Sequence, residues 1–407
     1  MQIRQARNLR GPLVLAIACF VVWGLAYGLL DVLNKHFQES LHVGKAHSTW
    51  LQTAYFGAYL TMSLPSGKLL RARGYRFGMV LGLVGTAVGA LCFIPAAQAA
   101  SFAAFVAAIF VLAAGLCCLE TAADTYVSVL GPPGGASRRL NLAQSFNALG
   151  VFLGPLIGGT LFFGPAAAGE FSVQITYVAI AAGVLAFAAI VARADLPEFV
   201  DCAHNDASLT PGAIALRAQP LFVLGVATQA LYVGAQVGIG TFFINLVTET
   251  WPGLTSREGA YLLSVATALY LVGRFATTAL LLRYRPGSVL TVYGIANLLL
   301  CLVVAMGLRR VSAVALIGVF FFMSTMFATI FTLGVAELGP ATKRGASMMV
   351  MAIGGGILLP YPMGRIAEYF GTPVAFLLPA LCFGTVALYG WRCCVVRRPD
   401  AVPVTLH

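Results

Sequence analysis

The chain has 407 residues, 59% of them apolar and only 10% charged, whereas soluble domains carry about 25% charged residues. Its formal net charge is +11, but the basic residues cluster in short loops between hydrophobic runs, which is a pattern of membrane orientation rather than of nucleic-acid binding. Runs of about 20 apolar residues with no period of two exclude a β-barrel and leave an all-α integral membrane protein.

Twelve spans are expected in chain order, at 12–37, 47–70, 76–97, 102–130, 139–164, 173–193, 218–247, 257–283, 287–307, 312–337, 343–369 and 372–392. Each holds at least the roughly 20 residues that one helical crossing of a bilayer needs. The opening MQIRQARNLR is basic, and the apolar run after it is too long for a signal-peptide core. Placing this end in the cytoplasm also places most of the 25 Lys and Arg residues there, and both termini then share that side.

In the first span, Trp23, Tyr27 and Asp31 recur every four residues and form one stripe. Aromatic faces pack on sugar C–H groups while a carboxylate accepts hydroxyl protons, so the stripe suits a sugar. Asn34 follows nearer the exit. The loop GKLLRARGYR after the second span resembles a loop signature of the major facilitator superfamily, with Arg71 where that pattern has aspartate.

The fourth span carries GLCCLETAAD, in which Glu120 and Asp124 lie one helical turn apart with no base nearby. An ionisable group inside a span costs several kcal/mol, about 2–3 at least, and is a functional candidate by default. Burial disfavours the charged form, so such a carboxylate binds and releases a proton. Asp31, Glu120 and Asp124 are therefore the expected proton-coupling residues, with Glu120 the deeper of the pair. The fifth span opens with LNLAQSFNALG, where Asn141, Gln144 and Asn147 share a face. Their amides offer donors and acceptors without charge and fit a neutral polyhydroxylated ligand. The same span contains GVFLGPLIGG, which resembles a signature of drug–proton antiporters.

The polar interval 194–216 divides the spans six and six. The expected units are an N-terminal six-helix bundle at 1–193, a cytoplasmic linker at 194–216 and a C-terminal six-helix bundle at 217–407. Two matched loops support a duplicated half: LGPPGGASRRLNLAQ from Leu130 and LGPATKRGASMM from Leu338 occupy equivalent places. Gln236 in the seventh span is a further binding candidate. Otherwise the second half offers few polar side chains beyond Arg274, Asn245 and Glu337, and it is expected to supply an apolar wall.

The glycines of AIGGGI read as close packing or bending, not as a phosphate loop. The histidines lie in loops, at span margins or at the terminus, and the cysteines lack ligand spacing. No catalytic residue, metal site or cofactor is expected.

WGLAYGLLDVLNKHFQ, GLCCLETAADTYVSVLGP, RLNLAQSFNALG, ALYVGAQ, VGRFATT and AIGGGI together resemble the fucose–galactose–glucose proton symporter family of the major facilitator superfamily. The resemblance runs in order along nearly the whole chain. It implies two pseudo-symmetric six-helix bundles around a central cavity, alternating access, and proton-coupled import of L-fucose or a related hexose across a bacterial inner membrane. It assigns Asp31 and Glu120 to proton coupling and sugar binding, and Gln144 and Asn147 to sugar contact. Asp124 stands where the family pattern has asparagine, and Phe327–Ala328 where it has Tyr-Pro. The expected partners are a sugar, a proton and membrane lipid, with no nucleic acid, and the protein is expected to act as a monomer. An efflux antiporter of the same fold and a non-transporting sugar sensor are the alternatives.

Overall fold

The computed structural model describes residues 10–130, 136–163, 171–197, 219–281, 283–336, 338 and 342–396, and every regular element among them is a helix. The first half contains α1 (Arg10–Ser40), the short α2 (Lys45–Ser48), α3 (Trp50–Arg73), α4 (Tyr75–Leu91) continued by α5 (Phe93–Gln98), α6 (Phe102–Val129), α7 (Ala136–Phe162) and α8 (Phe171–Arg193). The second half contains α9 (Pro220–Thr250), α10 (Ser256–Leu281), α11 (Pro286–Ala305) and α12 (Arg309–Met323) continued by α13 (Met326–Val335). It ends with α14 (Thr342–Met351), a 3-10 turn at Ala352–Ile357 leading into α15 (Pro360–Phe370), and α16 (Thr372–Ala375) with α17 (Leu377–Val396). Taken this way the described residues make twelve crossings, and no limit expected from hydropathy is displaced by more than four residues. The linker at 194–216 falls mostly outside the described residues, as do 131–135 and 339–341 of the two matched LGP segments and Glu337, while the rest of those segments opens α7 and α14.

Small residues set the helix spacing. A Cβ added at Gly24 of α1 would lie 2.1 Å from the Asn147 carbonyl oxygen, and one at Gly150 of α7 would lie 2.4 Å from that of Val21. Backbone meets backbone there, as is usual where membrane helices associate. Gly150 and Gly154 belong to GVFLGPLIGG, so the geometry accounts for that motif as the packing surface of α7 on α1. The AIGGGI segment likewise allows close approach: Gly355 abuts the Ala230 carbonyl of α9, and Gly356 abuts the Phe56 ring of α3 across the halves.

Both ends of α6 are closed by side chains. The Ser101 hydroxyl accepts the Ala104 N–H at 3.4 Å at the start of α6. At its far end, Arg139 donates to the carbonyls of Val127 and Ser128 at 3.1 and 2.8 Å, which satisfies carbonyls that a helix end leaves orphaned.

Candidate substrate and proton site

The stripe on α1 turns toward α3. Trp23, Tyr27 and Asp31 are all half-buried. The Tyr27 ring stands 5.9 Å from Tyr55 and 6.4 Å from Phe56. Trp23 meets Phe20 edge-on at 6.2 Å and neighbours Tyr55. The Asp31 carboxylate lies against Gln52 of α3 on one side. On the other it packs on α9, where a Cβ added at Gly240 would sit 2.5 Å from its Oδ2.

Glu120 and Asp124 face the same region from α6. Glu120 neighbours Asp124, Tyr55, Tyr59 and Cys117. One oxygen of each carboxyl, Glu120 Oε2 and Asp124 Oδ1, is buried without a hydrogen-bond partner. The shared face expected from their spacing is therefore present. Tyr55 and Tyr59 stack at 5.2 Å with their hydroxyls 3.5 Å apart. The α3 face of Gln52, Tyr55 and Tyr59 thus neighbours Asp31 at one end and Glu120 at the other, and the sequence reasoning did not single it out. The signal was available: WLQTAYFGAYL repeats these polar groups at intervals of three and four.

The expected amides divide. Gln144 on α7 and Gln236 on α9 are half-buried. Asn147 donates from Nδ2 to the Phe20 carbonyl at 3.2 Å, so part of its hydrogen-bonding capacity holds α7 to α1. The Asn141 side chain lies outside the described residues. The second half is less apolar at the site than expected. Tyr232 of α9 and Tyr270 of α10 both neighbour Tyr27. Tyr232 donates to the Met323 carbonyl at 2.7 Å. Arg274 lies over the Tyr270 ring, 5.4 Å from its centre, and reaches its hydroxyl at 3.4 Å. Phenols are counted as hydrophobic in composition, which concealed these polar tips.

Beyond Asp31 a polar seam joins the halves. Asn34, fully buried, donates to the Thr241 carbonyl at 3.2 Å. Asn245 donates to Gln38 Oε1 at 2.6 Å, and Gln38 donates to the Ser48 hydroxyl at 2.9 Å. Farther out, Lys45 pairs with Glu249 at 2.7 Å and donates to the Thr372 hydroxyl at 2.9 Å. The Ala46 N–H donates to Glu368 at 2.9 Å, and the Ser256 hydroxyl donates to Glu39. These contacts all lie toward the face where α1 and α9 end, so the molecule is closed on that side.

Two helical halves around an ionisable cluster, sealed at one face, form the architecture of a membrane carrier. A family model described as Major Facilitator Superfamily matches residues 14–358, and the chain belongs to that family. It is 33% identical over 410 residues to the L-fucose-proton symporter of Escherichia coli (strain K12), a match covering 95% of this chain and 93% of that protein. It is 32% identical over 377 residues to a glucose/galactose transporter of Brucella abortus, covering 91% of each. The crystal structure of the transporter FucP in the outward conformation superposes with a TM-score of 0.68 at 32% identity, over 95% of this chain and 99% of that one.

Proposed function

We propose that this protein is a proton-coupled monosaccharide importer working by alternating access, with L-fucose or a related hexose as cargo. The observation that carries the reading is the convergence of Asp31, Glu120 and Asp124 on one region lined by Trp23, Tyr27, Tyr55 and Tyr59. The identity to a named L-fucose-proton symporter supports the cargo class. Protonation of Glu120, with Asp31 or Asp124 assisting, permits sugar binding from outside. Rocking of the halves then exposes the sugar inside, and release of the proton resets the carrier. Gln144, Asn147 and Gln236 are assigned to sugar hydroxyls.

The chain is assigned to a bacterial inner membrane with both termini cytoplasmic, acting as a monomer. Residues 1–193 and 217–407 are the moving bundles and 194–216 is their linker. In that orientation the polar seam is the outer gate, and the structure is closed to the outside.

The test is pH recording in a weakly buffered suspension of energy-depleted cells expressing the protein, with L-fucose, D-glucose and D-galactose added in turn. Alkalinisation with one sugar, absent in Glu120→Gln, is the expected result. Glu120→Gln is expected to lose accumulation yet keep sugar exchange. Silence with every sugar in well-expressing cells refutes the reading and favours an exporter.

A further inference from the structure

Gln52 is fully buried; its amide NH2 group approaches the Asp31 carboxylate, and its amide oxygen has no hydrogen-bond partner in the protein. A buried, unpaired amide oxygen is a cost that a packing role does not explain, because an apolar side chain of similar size fills such a place without it. The position is also specific. Gln52 neighbours the Asp31 carboxylate and lies one helical turn before Tyr55, whose hydroxyl is 3.5 Å from that of Tyr59. Tyr59 in turn neighbours Glu120. The three side chains sit at i, i+3 and i+7 on α3, so one helix face about 10 Å long, from the 1.5 Å rise per residue, runs from one carboxylate to the other.

We propose that this face of α3 is part of the sugar site, with Gln52 binding a sugar hydroxyl and positioning Asp31. The inference rests on the symport reading above. An amide presents one acceptor and two donors, while a sugar hydroxyl donates and accepts, so a single hydroxyl in reach of Gln52 and Asp31 satisfies both. The donating NH2 group then holds the carboxylate toward the sugar instead of toward α9. The Tyr55–Tyr59 pair offers the next hydroxyls along the same face, on the way to Glu120. A ligand with several adjacent hydroxyls matches this strip, whereas an apolar drug or an inorganic ion does not use it.

The experiment measures uptake kinetics and their pH profile for wild type, Gln52→Leu and Gln52→Asn, at matched amounts of membrane-inserted protein. The substrate is whichever of L-fucose, D-galactose and D-glucose the wild type transports. Gln52→Leu is expected to raise KM at least tenfold with a smaller change in maximal rate, and to displace the pH profile through Asp31. Gln52→Asn is expected to recover part of the affinity. If wild type transports the sugar and Gln52→Leu matches it within twofold in KM and in pH profile, the assignment of Gln52 is overturned while symport stands. If Gln52→Leu lowers only the amount of inserted protein, Gln52 is a packing residue and the assignment is likewise overturned. If wild type transports none of the sugars, the symport reading fails and takes this inference with it.

Discussion

In the proposed cycle, Gly240 is the point at which closing the outer seam meets the Asp31 carboxylate. A Cβ at this position would lie 2.5 Å from Asp31 Oδ2 and 3.1 Å from its Cγ. Ordinary carbon–oxygen contact is nearer 3.3 Å, so in Gly240→Ala the carboxylate or α9 has to retreat by roughly 0.8 Å. Overpacking of this kind costs about 1–3 kcal/mol. The clash exists only when α1 and α9 are together, so that cost falls on the closed state. A shift of that size moves the balance toward the outward-open state by about 5- to 150-fold. The assay is labelling of Thr241→Cys from outside by a small membrane-impermeant thiol reagent. Thr241 is 1% exposed in the closed seam, and its hydroxyl bonds only within its own helix, so cysteine is a mild change there. Labelling is expected to rise at least fivefold when Gly240→Ala is added, while net uptake falls. Equal labelling and equal uptake in the two backgrounds would refute the claim that Asp31 must pack on Gly240 during closure.

The outermost ion pair is a weaker latch. Lys45 and Glu249 are 26% and 35% exposed, so Lys45→Ala is expected to weaken closure by about 1 kcal/mol at most. The accompanying rise in Thr241→Cys labelling should shrink as salt increases, and a salt-independent rise would contradict it. Within the first half, Gly150→Val should abolish properly inserted protein, because the Val21 backbone it meets has no means of retreat. Gly57→Ala, which meets nothing within 4 Å, should be silent by the same fluorescence size-exclusion measurement. Asp124→Asn should retain sugar accumulation, since Glu120 remains; complete loss would make Asp124 the indispensable carboxylate.

The helical architecture was legible because one physical rule dominates it. A lipid-facing backbone must bond to itself, so every crossing announces itself as an apolar run. Only α3 stands out less, since Gln52, Thr53, Tyr55, Tyr59, Thr61, Ser63 and Ser66 lower the hydropathy of its apolar run. Its limits were nonetheless placed correctly from the flanking runs. Asp31, Glu120 and Asp124 were legible for the complementary reason, that charge in such a run stands out. Gln52, Tyr55, Tyr59, Tyr232 and Tyr270 were not, because an amide or a phenol is tolerated in a membrane helix and gives no comparable contrast. Nor could the sequence show that Asn147 is partly committed to the Phe20 carbonyl, since the pairing of α7 with α1 is a tertiary fact. The seam was hidden likewise: Asn34 and Asn245 are 211 positions apart and meet only through Gln38 and Thr241.

The seam's composition bears on how such a carrier can turn over. Its hydrogen bonds, Asn34 to Thr241 and Asn245 to Gln38, contribute about 0.5–1.5 kcal/mol each. Against them, Asn34 Oδ1 and Asn245 Oδ1 are buried without partners, at about 1–3 kcal/mol each. Opening the seam to water breaks the former, about 1–3 kcal/mol together, and satisfies the latter, about 2–6 kcal/mol together, so the polar contributions oppose each other and lean toward opening. A seam of leucines would have no such compensation, because opening it would expose apolar surface and gain nothing. The balance is then left to the contacts that differ between loaded and empty carrier, and Asp31 on Gly240 is one of these. A charged Asp31 held against the α9 backbone is costly unless it is paired, whereas a protonated one is tolerated. In the proposed cycle, closure of the outer face therefore favours the protonated carrier, while an apolar replacement at Asn34 tests the polar balance of the seam. Asn34→Leu should hold the gate shut, slowing labelling of Thr241→Cys and net uptake together, and faster labelling would show that the Asn34–Thr241 bond outweighs its unpaired oxygen.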